Sequence, residues 1–302
     1  AGGISEREWA RLVGDFARPL LNRAVDSAYE PGSAFKIVTG TAALMRGTAT
    51  RTTRIHDPGY LRLGGWVYRG LKAHGTVDFL TGLAVSSNVY FWTLGLRTGP
   101  DALSETAHAL GLGERTGIDL PSEAPGLVPS PSWKQRRLGE PWYPGDTVNM
   151  ATGQGWVNTT AVQMARLVAA IGNGGTVVRP HLLRSVLDAE GRPVERKPVE
   201  PVGRVSFDPE TLQTLRDALE AVVLRGTGRG ARIPGLRIAG KTGSAENPRG
   251  EPHAWFVAYA PADNPIIALA VVVEHGKRGG VAAVPIAKAV LQAFSEIPRA
   301  EP

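Results

Sequence analysis

Three short runs hold the residue types needed for acyl transfer: Ser33-Ala34-Phe35-Lys36, Ser86-Ser87-Asn88 and Lys241-Thr242-Gly243. The first offers a hydroxyl with a lysine three positions on, which a helix brings to the same face. The second sets hydroxyls beside an amide. The third joins a cation, a hydroxyl and a glycine that lets another backbone approach closely. Serine attacks a carbonyl only when a base takes its proton, and lysine is that base only when burial or a nearby cation lowers its pKa. Lys241 is the candidate cation for Lys36. Taken singly, each run has a plainer reading: Ser33 as an N-cap, Ser86-Ser87-Asn88 as a turn, Lys241-Thr242 as solvated strand. Their joint occurrence, in this order, favours the chemical one.

In that reading Ser33 is the nucleophile and Lys36 its base. Ser86, chosen over Ser87 by the S-x-N spacing, relays a proton to a leaving amine. Asn88 holds the Lys36 amine and substrate backbone. Lys241, Thr242 and Ser244 bind a substrate carboxylate, while Gly243 admits the substrate backbone. The backbone N–H groups of Ser33 and Ser244 form an oxyanion hole, the usual large electrostatic contribution to acyl transfer.

The elements that must position these groups follow from periodicity and punctuation. Residues 5–14 read as a helix. A second helix begins at Pro31-Gly32-Ser33 and ends near Gly47. Its first turn, where N–H groups are free and the dipole favours negative charge, contains Ser33. Residues 51–76 read as loop and short strands, 77–113 as two helical patterns, and 114–146 as a long loop, a type usually tied to a site. Thr159 or Thr160 caps a helix over Ala161–Ile171. Thr176–Val186 and Val194–Pro198 read as strands. Asp208-Pro209 starts a helix to about Leu224. Three strand-like runs follow, Arg237–Ala245, Ala254–Ala260 and Ile266–Glu274, the last two joined by a hairpin turn at Pro261–Pro265. A helix over about Val284–Phe294 closes the chain. Strands gathered at one end and helices in the middle favour an antiparallel sheet covered by helices over alternating βαβ units.

The 302 residues are 42% hydrophobic and 21% charged, ordinary for a globular chain. The formal charge is +6, from mostly arginine. It reads as a solvated basic surface or a preference for anionic partners such as cell-wall polymers or lipid headgroups. No basic block interleaves with aromatics, so no nucleic-acid partner is expected. The absence of cysteine excludes disulfides and thiolate metal sites. His56, Asp57, His74 and Asp78 cluster loosely without a tight ligand spacing, so neither a metal nor another cofactor is expected. Gly226-Thr227-Gly228-Arg229-Gly230 lacks the Walker spacing and reads as a flexible connector. The longest apolar run, Ile266–Val273, is too short to span a bilayer. The opening Ala1-Gly2-Gly3 shows no signal-peptide pattern, so any anchor lies outside these residues.

S-x-x-K, S-x-N and K-T-G in this order are the signature of penicillin-binding proteins and serine β-lactamases. Further stretches sharpen the likeness: Tyr29-Glu30-Pro31-Gly32-Ser33, Asp57-Pro58-Gly59-Tyr60, His74-Gly75-Thr76-Val77-Asp78, Gly153-Gln154-Gly155 and His253-Ala254-Trp255-Phe256. From about Ile4 to the last helix the chain resembles the class B, elongation-type penicillin-binding proteins, the penicillin-binding protein 2 family. Ser244 stands where threonine is commoner, keeping the hydroxyl, and Ala34 replaces a common threonine. The resemblance implies an α+β transpeptidase fold, with an antiparallel five-stranded sheet flanked by helices and a mostly helical subdomain. Residues 1–302 would form one domain, with 1–50 and about 160–302 carrying the sheet and about 51–159 inserted.

The implied activity is a D,D-transpeptidase on the extracytoplasmic face of the bacterial inner membrane, its anchor helix and pedestal outside these residues. Its substrates would be peptidoglycan stem peptides, a D-Ala-D-Ala donor and an amine acceptor. β-Lactams would acylate Ser33, and a membrane glycosyltransferase of the elongation machinery would be a partner. A D,D-carboxypeptidase and a β-lactam-sensing or scaffold domain remain alternatives. A class A β-lactamase is disfavoured because no E-x-x-L-N arrangement is present.

Overall fold

A computed structural model describes residues 3–247 and 250–297. The chain opens with α1 (Glu6–Gly14), capped by the Ser5 hydroxyl, and a short α2 (Arg23–Asp26). A 3₁₀ turn over Gly32–Phe35 runs directly into α3 (Lys36–Met45). Strands β1 (Ile55–Asp57), β2 (Tyr60–Leu63), β3 (Trp66–Arg69) and β4 (Gly75–Val77) follow, β1 pairing with β4 and β2 with β3. The middle of the chain is helical: α4 (Phe79–Ala84), α5 (Asn88–Thr98), α6 (Pro100–Ala109), α7 (Pro131–Leu138), α8 (Pro144–Ala151) and α9 (Ala161–Gly172). Strands β5 (Thr176–Arg179) and β8 (Glu200–Arg204) then pair around a hairpin of β6 (Ser185–Leu187) and β7 (Pro193–Arg196). Last come α10 (Pro209–Arg225), β9 (Ala239–Ala245), β10 (His253–Ala260), β11 (Ile267–Val273) and α11 (Gly279–Glu296).

Local chemistry accounts for the strongest elements. Thr160 and Gln163 form a reciprocal capping box on α9, satisfying two otherwise orphaned N–H groups. Asp208 caps α10 with Pro209 at its first position. The central sheet is antiparallel in the order β11-β10-β9. Along β10, Trp255, Val257 and Tyr259 enter the main core with Phe35 of the 3₁₀ turn, Ile37 of α3 and Leu167 of α9. The alternate residues Ala254, Phe256 and Ala258 enter a second core with Val284 and Leu291 of α11. Period-two alternation between two covered faces explains why the strand reads as continuously apolar.

Several expectations are corrected. Among the described residues the central sheet has three strands, not five. The segment before Ser33 is occupied by α1 and α2, and β5–β8 pair among themselves, so neither extends the sheet. The span 77–113 holds three helices, since Gly99 at φ +87° and Pro100 break the second pattern. The supposed loop 114–146 contains α7 and the start of α8; α7 is too polar to show an apolar stripe, but Ser130-Pro131 and a left-handed Gly139 mark its ends. Thr176–Val186 divides into β5 and β6 around Pro180. Helix α11 starts five residues early, hidden by Gly279-Gly280, which local propensity disfavours in a helix.

Candidate active site

Ser33 sits in the 3₁₀ turn that precedes α3, not in the α-helix itself. The turn lies hard against β9. Gly32 has φ +52°, and a Cβ there would lie 2.3 Å from the Ser244 carbonyl oxygen, so only glycine fits. The Gly32 N–H donates to the Gly153 carbonyl at 3.0 Å, which seats the Gly153-Gln154-Gly155 loop beside the turn that carries Ser33. Ser33 and Ser244, whose N–H groups are the expected oxyanion donors, thus come from two packed backbones.

Lys36 begins α3 and is fully buried. Its Nζ donates to the Asn88 Oδ1 at 2.6 Å and the Ser86 carbonyl at 2.8 Å, and lies 3.1 Å from Ser86 Oγ. Lys241, on β9 and equally buried, donates from Nζ to the same Ser86 Oγ at 2.9 Å and to the Thr242 carbonyl at 2.8 Å. The expected hydrogen bond between Lys36 and the Ser33 hydroxyl is not formed. Ser33 Oγ has no hydrogen-bond partner among the described residues; catalytic contacts commonly tighten only when substrate is bound.

Two buried amines on one hydroxyl set the electrostatics. Burial lowers the pKa of Lys241 to about 7. Lys36 is held well below its ordinary value by burial and then by the Lys241 charge, with Asp57 working in the opposite direction. The arrangement favours a neutral Lys36 beside a cationic Lys241. A neutral Lys36 has two N–H donors, matched by the Ser86 carbonyl and Asn88 Oδ1. Its lone pair is then left for a hydroxyl proton.

Ser86 lies in the α4–α5 loop with φ +58°, a strained conformation for a non-glycine residue. Its neighbour holds it there. The Ser87 hydroxyl caps α5 by accepting from the Tyr90 N–H at 3.0 Å, and donates to Asp57 Oδ2 at 2.5 Å. Asp57 Oδ2 also contacts His74 Nδ1 at 2.8 Å, and Oδ1 accepts from the Gly59 N–H at 2.8 Å. Burial would raise the Asp57 carboxyl, but the bonds from Ser87, His74 and Gly59 hold it below the usual carboxylate range. So Ser86 meets both lysines while Ser87 anchors the loop.

Sequence reasoning placed Asp57 and His74 in a loose cluster and in two stretches of the resemblance, but missed this support. The Asp57-Pro58-Gly59 turn, able to fold a carboxylate back on its own backbone, was the available signal. On β9, the Thr242 hydroxyl lies 2.6 Å from the Thr227 hydroxyl. Gly243 packs against the Pro31 carbonyl and the Ala34 N–H. Exposed Ser244 accepts from the Gly279 N–H at 3.3 Å. Glu30 was also overlooked: burial, then the nearby Glu246 carboxylate, pushes it up to about 7.

Two buried lysines thus converge on the Ser86 hydroxyl, on a frame of sheet and helices that also holds Ser33 against β9. The pattern of the penicillin binding protein transpeptidase domain matches residues 5–292. The chain is 36% identical over 302 aligned positions to the peptidoglycan D,D-transpeptidase MrdA of Acinetobacter baumannii, covering 93% of this chain and 44% of that protein. It superposes on Pseudomonas aeruginosa PBP2 in complex with WCK 5153 with a TM-score of 0.88 and 35% identity, covering 98% of this chain and 65% of that one. The Helicobacter pylori PBP2 in complex with MreC gives a TM-score of 0.85 at 31% identity, with coverage of 97% and 55%. The chain belongs to the penicillin-binding protein transpeptidase domain family. It spans about half the length of the curated relatives it matches.

Proposed function

We propose that this chain is the catalytic domain of an elongation-type peptidoglycan D,D-transpeptidase. The observation that carries the reading is the Ser86 hydroxyl shared by Lys36 and Lys241 at 3.1 and 2.9 Å, both amines buried. Ser33 Oγ attacks the carbonyl of the penultimate D-alanine while neutral Lys36 takes its proton. The N–H groups of Ser33 and Ser244 stabilise the tetrahedral oxyanion. Collapse breaks the peptide bond, and Ser86, recharged from Lys36, protonates the departing D-alanine amine. An amine from a second stem peptide then attacks the Ser33 ester. Lys36 accepts the amine's proton and returns it to Ser33 Oγ as the new amide forms. Asn88 orients the Lys36 amine, while Thr242 and Lys241 face the donor carboxylate. A β-lactam enters as the donor and leaves Ser33 acylated.

The cross-linked polymer lies outside the cytoplasm, and we place the domain on the extracytoplasmic face of the inner membrane. A strand-polymerising membrane glycosyltransferase is the proposed partner, a reading supported by the likeness to a chain from a peptidoglycan synthase complex that coordinates polymerization and crosslinking. No helix among the described residues is long and apolar enough to cross a membrane. We assign residues 1–50 and about 160–302 to the sheet-bearing part and about 51–159 to the insertion.

A time course with labelled penicillin, read by intact mass and peptide mapping, tests the function. The expected result is an adduct on Ser33 that persists for many minutes. No adduct on Ser33 refutes the reading, and loss within seconds makes the protein a β-lactamase instead. Product analysis with a stem-peptide donor and an amine acceptor then separates cross-linking from carboxypeptidase hydrolysis.

A further inference from the structure

Among the described residues the strands of the β6–β7 hairpin pair only with each other, and every residue of β7 is exposed. A two-stranded hairpin without a core beneath it gains little stability from its own contacts. Its base is nonetheless fixed. Asp119 accepts from the Leu182 and Leu183 N–H groups at 2.6 and 2.9 Å, one on each carboxylate oxygen. Around this anchored base Leu182, Leu183, Leu187, Val194 and Val199 are 42–72% exposed. Apolar side chains scattered singly over a surface are ordinary, but a group of them marks a contact site.

Charge is unbalanced in the same place. Asp188 and Glu190 in the turn are both held by Arg192, at 2.8 and 2.9 Å, and Glu195 pairs with Lys197 at 3.0 Å. Arg184 and Arg196 have no ion pair or side-chain hydrogen bond among the described residues. Ser185 lies opposite Arg196, and the Lys197 N–H donates to the Arg184 carbonyl at 3.0 Å, so the three cations leave neighbouring positions of the two strands. With Ser185, Leu187 and Pro193 they line one cavity of about 310 Å³. Each guanidinium is a planar fork of N–H donors that matches phosphate oxygens. A soluble anion would use the cations but leave the leucines and valines in water. An anionic lipid surface uses both, with phosphates on the arginines and apolar side chains in the headgroup boundary.

We propose that the β6–β7 hairpin is a peripheral membrane-binding element, which takes the phosphate headgroups of anionic lipids at Arg184 and Arg196 while the flanking leucines and valines enter the interface. None of these residues belongs to the acyl-transfer site. Binding to lipid and acylation of Ser33 are therefore separate properties and are measured separately.

The test is flotation of the 302-residue protein with vesicles of phosphatidylglycerol and phosphatidylethanolamine, and with vesicles of phosphatidylcholine alone. The protein binds the anionic vesicles, binds phosphatidylcholine far more weakly, and is released by about 0.5 M salt. A cation near a charged leaflet adds about fivefold in affinity, so Arg184→Gln/Arg196→Gln weakens binding about twentyfold or more. The same charge removed from α7, as Arg136→Gln/Arg137→Gln, changes binding less than about twofold, because the attraction fades within a Debye length. Leu182→Ser/Leu187→Ser leaves the charge untouched and weakens binding about tenfold. Both hairpin variants form the penicillin adduct at the wild-type rate, which shows an intact fold. Absence of binding to the anionic vesicles overturns the inference, as does binding that the arginine variant leaves unchanged. An undiminished leucine variant overturns it too, and calorimetry with polyphosphate then identifies a soluble polyanion as the partner. A wild-type protein that binds lipid but gives no Ser33 adduct refutes the transpeptidase reading and leaves this one standing.

Discussion

Asp57→Asn isolates the charge that raises the Lys36 pKa while nearly preserving the side-chain shape. Asp57 is 1% exposed and accepts from Ser87, His74 and the Gly59 N–H. An asparagine turned to accept from Ser87 and His74 points its NH₂ at the Gly59 N–H, so one buried donor loses its partner. That loss costs about 1–3 kcal/mol. The folded Asp57 titrates below the usual carboxylate range, so its ionic contribution to stability is complete above the unfolded pKa and is lost as pH falls through the folded value. The stability cost of Asp57→Asn is therefore full at neutral pH and shrinks in acid.

The effect on chemistry has two separable parts. Loosening the Ser87 anchor frees Ser86 from a conformation that costs about 1–3 kcal/mol to hold, so acylation at neutral pH falls about tenfold or more. The charged groups facing Lys36 are Lys241 from β9 and Asp57 from β1. Removing the carboxylate takes away the attraction that raises the Lys36 pKa. Because the base must be neutral, the acid limb of the acylation rate moves to lower pH. Stopped-flow acylation by a fluorescent penicillin across the pH range measures both parts, and urea unfolding measures the stability. An acid limb that stays in place or moves upward refutes the coupling between Asp57 and Lys36.

Lys241→Met makes the opposite electrostatic prediction. Lys36 loses a neighbouring cation, its pKa rises, and the acid limb moves to higher pH; a downward shift in the same assay contradicts the proposed lysine pairing. Ser33→Ala abolishes the penicillin adduct and shifts thermal unfolding by only a few degrees, since the side chain makes no hydrogen bond among the described residues; collapse of the fold would assign Ser33 a structural role. Glu30 titrates at about 7, above its unfolded value, so any stability tied to its neutral form is full in acid and is lost as pH rises through that point. Glu30→Gln therefore unfolds at a higher temperature than the wild type at alkaline pH and at nearly the same temperature in acid. A wild-type advantage in alkali counts against a strained Glu30 carboxylate.

What the sequence made legible was local chemistry. Caps at Thr160 and Asp208, the apolar runs of β10 and β11, and the two lysines all announce themselves within a few residues. What stayed hidden depends on contacts across large sequence separations. Ser87 reads as a spare copy of Ser86 until Asp57, thirty positions earlier, is found accepting its proton. Helix α7 carries no apolar stripe because only Lys134 of its eight residues is buried, and that amine is paired with Asp146. The three strands of the sheet were read as strand-like runs, but the resemblance implied five, and the number of strands depends on which edges find partners rather than on any one strand's composition.

Glycine misled the reading most consistently, for a reason that applies to the whole site. From composition alone, Gly226–Gly230 looked like a loose connector and Gly279-Gly280 fell before the expected start of the last helix, since glycine imposes no conformation of its own. In the fold Gly226 and Gly279 are points where backbones meet at distances no side chain permits. Ser33, Ser86 and Lys241 come from a 3₁₀ turn, a helix–helix loop and a strand, and no single element holds any two of them. Such a site stays in register only if the elements themselves are locked, and close backbone contacts at Gly32 and Gly226 lock them more stiffly than side-chain packing can. It follows that Gly226→Ala, remote from the reacting atoms, should lower acylation at least as much as the loss of a substrate-binding hydroxyl. Its added methyl displaces Ala84, and with it the loop that carries Ser86.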